Sequence, residues 1–118
     1  MLHILILEDS RILQKIYQIY LPSDKYHLNF SSNGLEGLSY LSNPENKKPD
    51  LIILDLEMPV IGGSEFLQKI KGSINLNRFP IVICSSLPPS SNPDPSKKYL
   101  MKPFGPNDLI SLINSVFV

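Results

Sequence analysis

Residues 50–59 read D-L-I-I-L-D-L-E-M-P. Four apolar residues, Leu51 to Leu54, run straight into Asp55, with Glu57 close behind. A run this short and apolar reads as a buried strand of the kind found inside a parallel sheet. A core strand gains nothing from a carboxylate at its tip unless something there uses the charge. The pattern also occurs near the N-terminus, where H-I-L-I-L-E-D-S carries Ile4 to Leu7 into Glu8 and Asp9. If the two strands lie side by side and point the same way, three carboxylates converge at one edge of a sheet.

The remainder of the chain supplies the other elements of such a sheet. After Asp9, the residues Ile12, Leu13, Ile16, Ile19 and Tyr20 recur at helical spacing, with Ser10 as N-cap and Pro22 as the stop. Y-H-L-N-F-S-S alternates weakly, as a short half-exposed strand does. Leu35, Leu38 and Leu41 sit three apart in a helix ended by Asn43-Pro44, and Phe66, Leu67 and Ile70 share one face of a helix opened by two glycines. Pro80 precedes I-V-I-C, a fourth strand that ends in Ser85-Ser86, and K-Y-L-M is a fifth, followed by Lys102-Pro103. The last helix starts at Pro106, with Leu109, Ile113, Val116 and Phe117 expected to face inward.

Strict alternation of strand and helix predicts a parallel sheet with right-handed crossovers. Five strands suit the doubly wound order 2-1-3-4-5, with the first and third strands adjacent at the switch-point crevice. One interruption stands out. The ten residues L-P-P-S-S-N-P-D-P-S hold four prolines, and each proline lacks an N–H and restricts its predecessor. A loop is therefore expected where the alternation calls for a helix.

Composition sets the bounds. A chain of 118 residues is read as one domain, 1–118, able to bury roughly two thirds of its unfolded surface. Hydrophobic content of 42% and charged content of 19% suit an ordinary soluble globule. No apolar run exceeds four or five residues, so no membrane span is expected, and a strand at the very start leaves no room for a signal peptide. A single cysteine, Cys84, fits a reducing compartment, and the expected location is cytoplasmic. Net charge is zero and the basic residues are scattered, so a nucleic-acid partner is not expected.

Two carboxylates about 5 Å apart repel by roughly 3 kcal/mol at an effective dielectric near 20. A cluster of three therefore either takes up a proton or holds a cation. An oxygen-only set suits a hard ion, Mg²⁺ within a cell. Ser85 and Lys102 end the fourth and fifth strands and reach the same edge. A metal, a carboxylate nucleophile, a hydroxyl and an ammonium together are what phosphoryl transfer to a carboxylate requires. Lys102-Pro103 is a candidate cis peptide that aims the lysine.

Glu8-Asp9, L-D-L-E-M-P at 54–59, Ser85 after P-I-V-I-C, and K-P-F at 102–104 resemble the receiver domain of two-component response regulators. The resemblance covers essentially the whole chain and implies a CheY-like, flavodoxin-like fold. It implies that Asp55 accepts phosphate from a histidine kinase or histidine phosphotransfer protein. Glu8, Asp9, Asp55 and the backbone carbonyl of Glu57 would hold Mg²⁺, while Ser85 and Lys102 would grip the phosphoryl group. Tyr99 matches the family's aromatic switch position, though plain sheet packing stays open for it.

The chain departs from the family pattern between Ser85 and Lys102, where only 16 residues lie, fewer than is usual and rich in proline, and the segment that is normally a fourth helix reads as a loop. This puts the usual output face in doubt. Phosphorylation is expected to order part of the 87–98 loop. Glu57 adds a negative charge beside Asp55 and is expected to alter attack by water, in a direction left open.

The functional expectation is a stand-alone receiver, a phosphorylation-controlled switch that is no classical enzyme and whose output lies in an unknown partner protein. A piece of a longer regulator would look the same. The main rival is a receiver-like adaptor that binds its partner without phosphorylation. A small Mg²⁺-dependent phosphatase of the haloacid-dehalogenase type fits less well, since D-x-D-x-T after the first strand is missing.

Overall fold

The two acid-tipped runs lie side by side. The computed structural model, which describes residues 1–117, forms β1 from Leu2–Leu7 and β3 from Leu51–Leu54. These strands are parallel, in register from Ile4 opposite Leu51 to Leu7 opposite Leu54. Every residue of β3 is buried, as a central strand covered on both faces must be.

Around this pair the chain runs β1, α1 (Arg11–Tyr20), β2 (Tyr26–Ser31), α2 (Gly34–Ser42), β3, α3 (Gly63–Lys71), β4 (Ile81–Ser85), β5 (Lys98–Met101) and α4 (Pro106–Val116). The sheet is five-stranded with order β2-β1-β3-β4-β5, and all its pairings are parallel. The expected doubly wound order is what the chain adopts. Val118, the last residue of the expected final helix, lies outside the described residues.

Side-chain alternation along the strands divides the core into two layers. Leu5, Leu7, Ile52, Leu54, Ile81 and Ile83 face α2 and α3, meeting Leu41, Phe66, Leu67 and Ile70. Ile4, Ile6, Leu51, Ile53, Val82 and Cys84 face the other way, onto Tyr17 of α1 and Leu109 and Ile113 of α4. The Cys84 thiol is fully buried, and burial pushes its pKa up to about 12, so it acts as a small apolar side chain.

Helix starts follow the sequence signals. The Ser10 side chain accepts a hydrogen bond from the Leu13 amide, Asn33 does the same for Glu36, and Pro106 occupies the first turn of α4.

The inward face of α1 differs from expectation. Ile12 and Ile19 are about three-quarters exposed, and the buried residue is Tyr17, flanked by half-buried Leu13, Ile16 and Tyr20. Both sets repeat at three and four residues, so periodicity cannot choose between them. Packing of Tyr17 against Phe104, with ring centroids 5.8 Å apart, selects the second. Leu35 and Phe117 are likewise half exposed rather than packed inward: Leu35 lies in the first turn of α2, and Phe117 follows the last turn of α4.

Between β4 and β5 the chain forms one 3₁₀ turn, Pro89–Ser91, and no α-helix. The expected loss of that helix is observed. The segment nonetheless carries its own hydrogen bonds. Asn92 Oδ1 accepts from the Asp94 amide, Asp94 Oδ1 accepts from the Ser96 amide and hydroxyl, and Asp94 Oδ2 lies 3.4 Å from Lys71 Nζ on α3.

Candidate functional site

Strand ends bring the site residues together. Register carries Leu7 to Leu54 and Ser85 to Met101, so Glu8, Asp55 and Lys102 all emerge at the C-terminal edge of the sheet. Backbone bonds continue the pairing one step further. Asp55 N–H donates to the Leu7 carbonyl at 3.1 Å, and Lys102 N–H donates to the Ser85 carbonyl at 2.8 Å. These bonds fix where each side chain starts.

Glu8, Asp9 and Asp55 each offer a carboxylate oxygen, and the three lie within 4.8 Å of one another. Glu8 and Asp55 are nearly fully buried, at 2% and 5% exposure, while Asp9 is open to solvent. Lys102 reaches the cluster from the end of β5. Its Nζ lies 2.5 Å from Glu8 Oε1 and 3.3 Å from Asp55 Oδ2. The Lys102-Pro103 peptide is cis, as expected for that bond.

The remaining polar contacts hold these groups in place. Glu8 Oε2 accepts from the Ser10 amide, and Gln14 Nε2 donates to the Glu8 carbonyl at 2.7 Å. Asp55 Oδ1 accepts from the Glu57 amide at 3.2 Å. Ser85 is fully buried and its Oγ accepts from the Leu87 amide at 3.1 Å. Nothing in the sequence marked Gln14, because its role depends on α1 passing over the end of β1.

The charge balance is uneven. Burial raises the Glu8 carboxyl above its ordinary value, against the opposing pull of Lys102. Burial raises Asp55 too, with Lys102 and the Glu57 amide pulling it down and Asp9 pushing it further up. Burial alone would lower Lys102, but the Glu8 hydrogen bond and the Asp55 charge outweigh it and hold the ammonium above its ordinary value. One ammonium does not compensate three carboxylates, and the cluster favours further positive charge.

Two of the expected positions make contacts that no sequence pattern announces. Tyr99 is half-buried against the α2–α3 layer, and its hydroxyl donates to the Leu87 carbonyl at 2.7 Å. Glu57 turns its carboxylate outward, where Oε1 accepts from Ser86 Oγ at 2.7 Å. This side-chain bond links the loop after β3 to the end of β4.

The loop after β3 is tightly confined. Gly34 N–H donates to the Ile61 carbonyl at 2.9 Å. A Cβ at Gly63 would stand 2.6 Å from the Asp55 carbonyl oxygen and from the Leu56 Cα, so only glycine fits there. Val60, between these contacts, has φ of 65°, a left-handed conformation that a β-branched residue adopts only under constraint.

Acids follow the ends of β1 and β3, the Lys102 ammonium lies within ion-pair distance of two of them, and Ser85 closes β4. A family model for the response regulator receiver domain matches residues 4–114. The chain belongs to the response regulator receiver family. The receiver is 33% identical over 120 residues to the probable transcriptional regulator ycf29 of Pyropia yezoensis, covering 96% of this chain and 52% of that protein. It therefore spans about half the length of that relative. The bacteriophytochrome response regulator RtBRR superposes with a TM-score of 0.85 at 26% identity, over 100% of this chain and 80% of that one. The phosphorylated cyanobacterial phytochrome response regulator RcpA superposes with a TM-score of 0.76 at 25% identity, over 97% of this chain and 89% of that one.

Membership places the receiver in a family of phosphorelay signalling domains. Among the described residues, no helix is long and apolar enough to cross a membrane.

Proposed function

We propose that Asp55 is the phosphoacceptor of this receiver, charged by a histidine kinase or a histidine phosphotransfer protein. The observation that carries this is the pairing of a nearly buried Asp55 with Lys102 at 3.3 Å, beside Glu8 and Asp9 at the switch-point edge of the sheet. An Asp55 oxygen attacks phosphorus, the P–N bond to the donor imidazole breaks, and its electron pair returns to the ring nitrogen. Lys102 is placed to offset charge on the transferred group, and the Ser85 hydroxyl to donate to one of its oxygens. The net result is a phosphoryl group moved between side chains of two proteins, a switch event rather than turnover of a free substrate.

The clustered oxygens fit a hard divalent cation, with no sulfur or imidazole in the set. Glu8, Asp9, Asp55 and the Glu57 backbone carbonyl would hold Mg²⁺, which supplies charge neutralisation for the phosphoryl oxygens when bound. Tyr99 is the switch residue in this assignment. Its hydroxyl and the Ser85 hydroxyl are joined through the single residue Leu87, whose carbonyl accepts from one and whose amide donates to the other. Redirecting Ser85 toward a phosphoryl group frees that amide and alters the support of Tyr99. The domain is taken as residues 1–118, the location as cytoplasmic, and the output as a partner protein.

The test is intact mass after incubation with Mg²⁺ and acetyl phosphate. One phosphoryl adduct is expected on the native chain, absent from Asp55→Asn and absent when EDTA is added first. No adduct with either acetyl phosphate or a phosphotransfer protein as donor overturns the assignment and favours a phosphorylation-independent adaptor.

A further inference from the structure

Asn33 is the one asparagine of the chain that is followed by glycine. An asparagine side chain is open to attack by the backbone nitrogen of the next residue, and glycine, with no Cβ, leaves that nitrogen least shielded. The pair stands between β2 and α2, where Asn33 is half-buried and caps the helix. Its Oδ1 accepts from the Glu36 amide at 2.9 Å, and Glu36 Oε1 accepts from the Ser32 amide at 3.0 Å, so the cap closes around Asn33. The Gly34 nitrogen is committed elsewhere. Its N–H donates to the Ile61 carbonyl at 2.9 Å, and a Cβ at Gly34 would stand 2.7 Å from that oxygen and from Ile61 Cγ2.

We propose that Asn33–Gly34 is a self-modification site, a succinimide-forming pair that the loop after β3 holds shut and releases when the Gly34–Ile61 contact opens. The Gly34 nitrogen bonds to Asn33 Cγ and gives its proton to solvent, and the side-chain amide nitrogen leaves as ammonia. Water then opens the ring. Breaking the bond from the Gly34 nitrogen to Cγ yields aspartate, and breaking its bond to the main-chain carbonyl carbon yields isoaspartate. No reactant other than water is needed. Ring closure must turn the Asn33 Cα–C bond away from its extended ψ of 172° and draw the side chain off the Glu36 amide. The same rotation swings the Gly34 N–H away from Ile61. Closure therefore requires both bonds to open, which makes local opening the gate.

The two products differ in what they do to the fold. Aspartate at position 33 keeps an oxygen that caps α2 and adds a negative charge near the helix start. Isoaspartate inserts a methylene into the main chain directly before Gly34 and shifts its N–H relative to the Ile61 carbonyl. Ile61 follows the left-handed Val60 in the segment that joins Asp55 to α3. The isoaspartyl product thus loosens the loop that leads away from the acid edge.

The folded chain, the chain unfolded in guanidinium chloride, and the variants Asn33→Ser and Ile61→Gly are incubated at mildly alkaline pH. Amide-to-acid conversion is followed by intact mass and by mapping the tryptic peptide 26–47. Conversion at Asn33 should run about tenfold or more slower in the folded chain than in the unfolded one. Asn33→Ser keeps a capping oxygen and should abolish conversion in that peptide. Ile61→Gly loosens the contact and should convert roughly three- to tenfold faster than native, the scale of one hydrogen bond's net contribution. Equal rates in the folded and unfolded chains overturn the gate, and conversion of that peptide in Asn33→Ser at the native rate overturns the site. If Ile61→Gly does not fold, the native chain is followed along a sub-denaturing guanidinium series instead. Conversion and hydrogen exchange of the Gly34 amide should then rise in proportion. Conversion that stays constant while that exchange accelerates overturns the role of Ile61.

Discussion

Lys102 Nζ lies 2.5 Å from Glu8 Oε1, joining residues 94 positions apart at the end of the fifth strand and the end of the first. The bond places a cation within a cluster of acids that would otherwise repel one another. It also ties an edge strand to the centre of the sheet, because β5 and β1 are separated by β3 and β4.

Removing that ammonium should therefore cost stability. Lys102→Ala leaves Glu8 and Asp55 buried without their partner, and a loss of about 1–3 kcal/mol is expected from urea unfolding at neutral pH. Millimolar Mg²⁺ should restore more stability to the variant than it adds to the native chain, since a bound cation relieves the same repulsion. Equal Mg²⁺ effects on both proteins would show that Lys102 does not balance the acid cluster.

Val60 holds a left-handed backbone conformation at the tip of the loop after β3. Glycine adopts that conformation freely but loses more entropy on folding, so Val60→Gly should stabilise by about 0.5–1 kcal/mol net. The side chain is about three-quarters exposed, so little packing is lost. A urea midpoint below native for this variant would mean that the loop is unstrained.

Gly62 and Gly63 are adjacent yet should respond differently to alanine. At Gly62 the nearest atom to an added Cβ is the Leu56 carbonyl oxygen at 3.4 Å, an ordinary contact. At Gly63 the clash is with backbone at 2.6 Å, directly at the residue bearing the Asp55 carboxylate. Gly63→Ala should cost about 1–3 kcal/mol and slow phosphorylation of Asp55 together, whereas Gly62→Ala should change thermal midpoint and phosphorylation little. Parallel behaviour of the two variants in calorimetry and adduct formation would contradict the packing described.

Asp94 gives a pH-dependent test away from the acid cluster. The Ser96 hydroxyl, then the Ser96 amide and Lys71, hold its carboxyl below the usual range in spite of its partial burial. A lowered folded-state pKa contributes stability that is present above the unfolded value, near 3.9, and is lost as pH falls through the folded one. The urea midpoint of native protein should exceed that of Asp94→Asn at pH 7, and the gap should narrow as pH falls below about 4. A gap independent of pH from 7 to 3 would show that the carboxylate charge contributes nothing to holding the loop.

Much of this molecule is legible in short stretches. Apolar runs of four residues mark β1, β3 and β4, because strands covered on both faces need no polar positions. Carboxylates directly after two of those runs mark the functional edge. Prolines at 88, 89, 93 and 95 exclude a helix between β4 and β5 through lost N–H groups alone, and that exclusion holds whatever surrounds them.

The local pattern runs out where a choice between two nearby faces or two distant partners is required. Helical spacing in α1 admits both Ile12 with Ile19 and Leu13 with Tyr17 and Tyr20. Contact with Phe104 and the underside of the sheet decides for Tyr17, whose hydroxyl hides its apolar bulk in any sequence pattern. The Lys102–Glu8 and Glu57–Ser86 bonds join side chains from separate strand ends, and the left-handed turn at Val60 directly precedes Ile61, whose carbonyl accepts from the distant Gly34 amide. The sequence by itself determined the strands, their order and the acids at their tips, because burial and backbone chemistry act residue by residue. Tertiary structure alone decided which face of α1 turns inward and which groups meet across the acid edge, because those depend on distances between segments that only folding brings together.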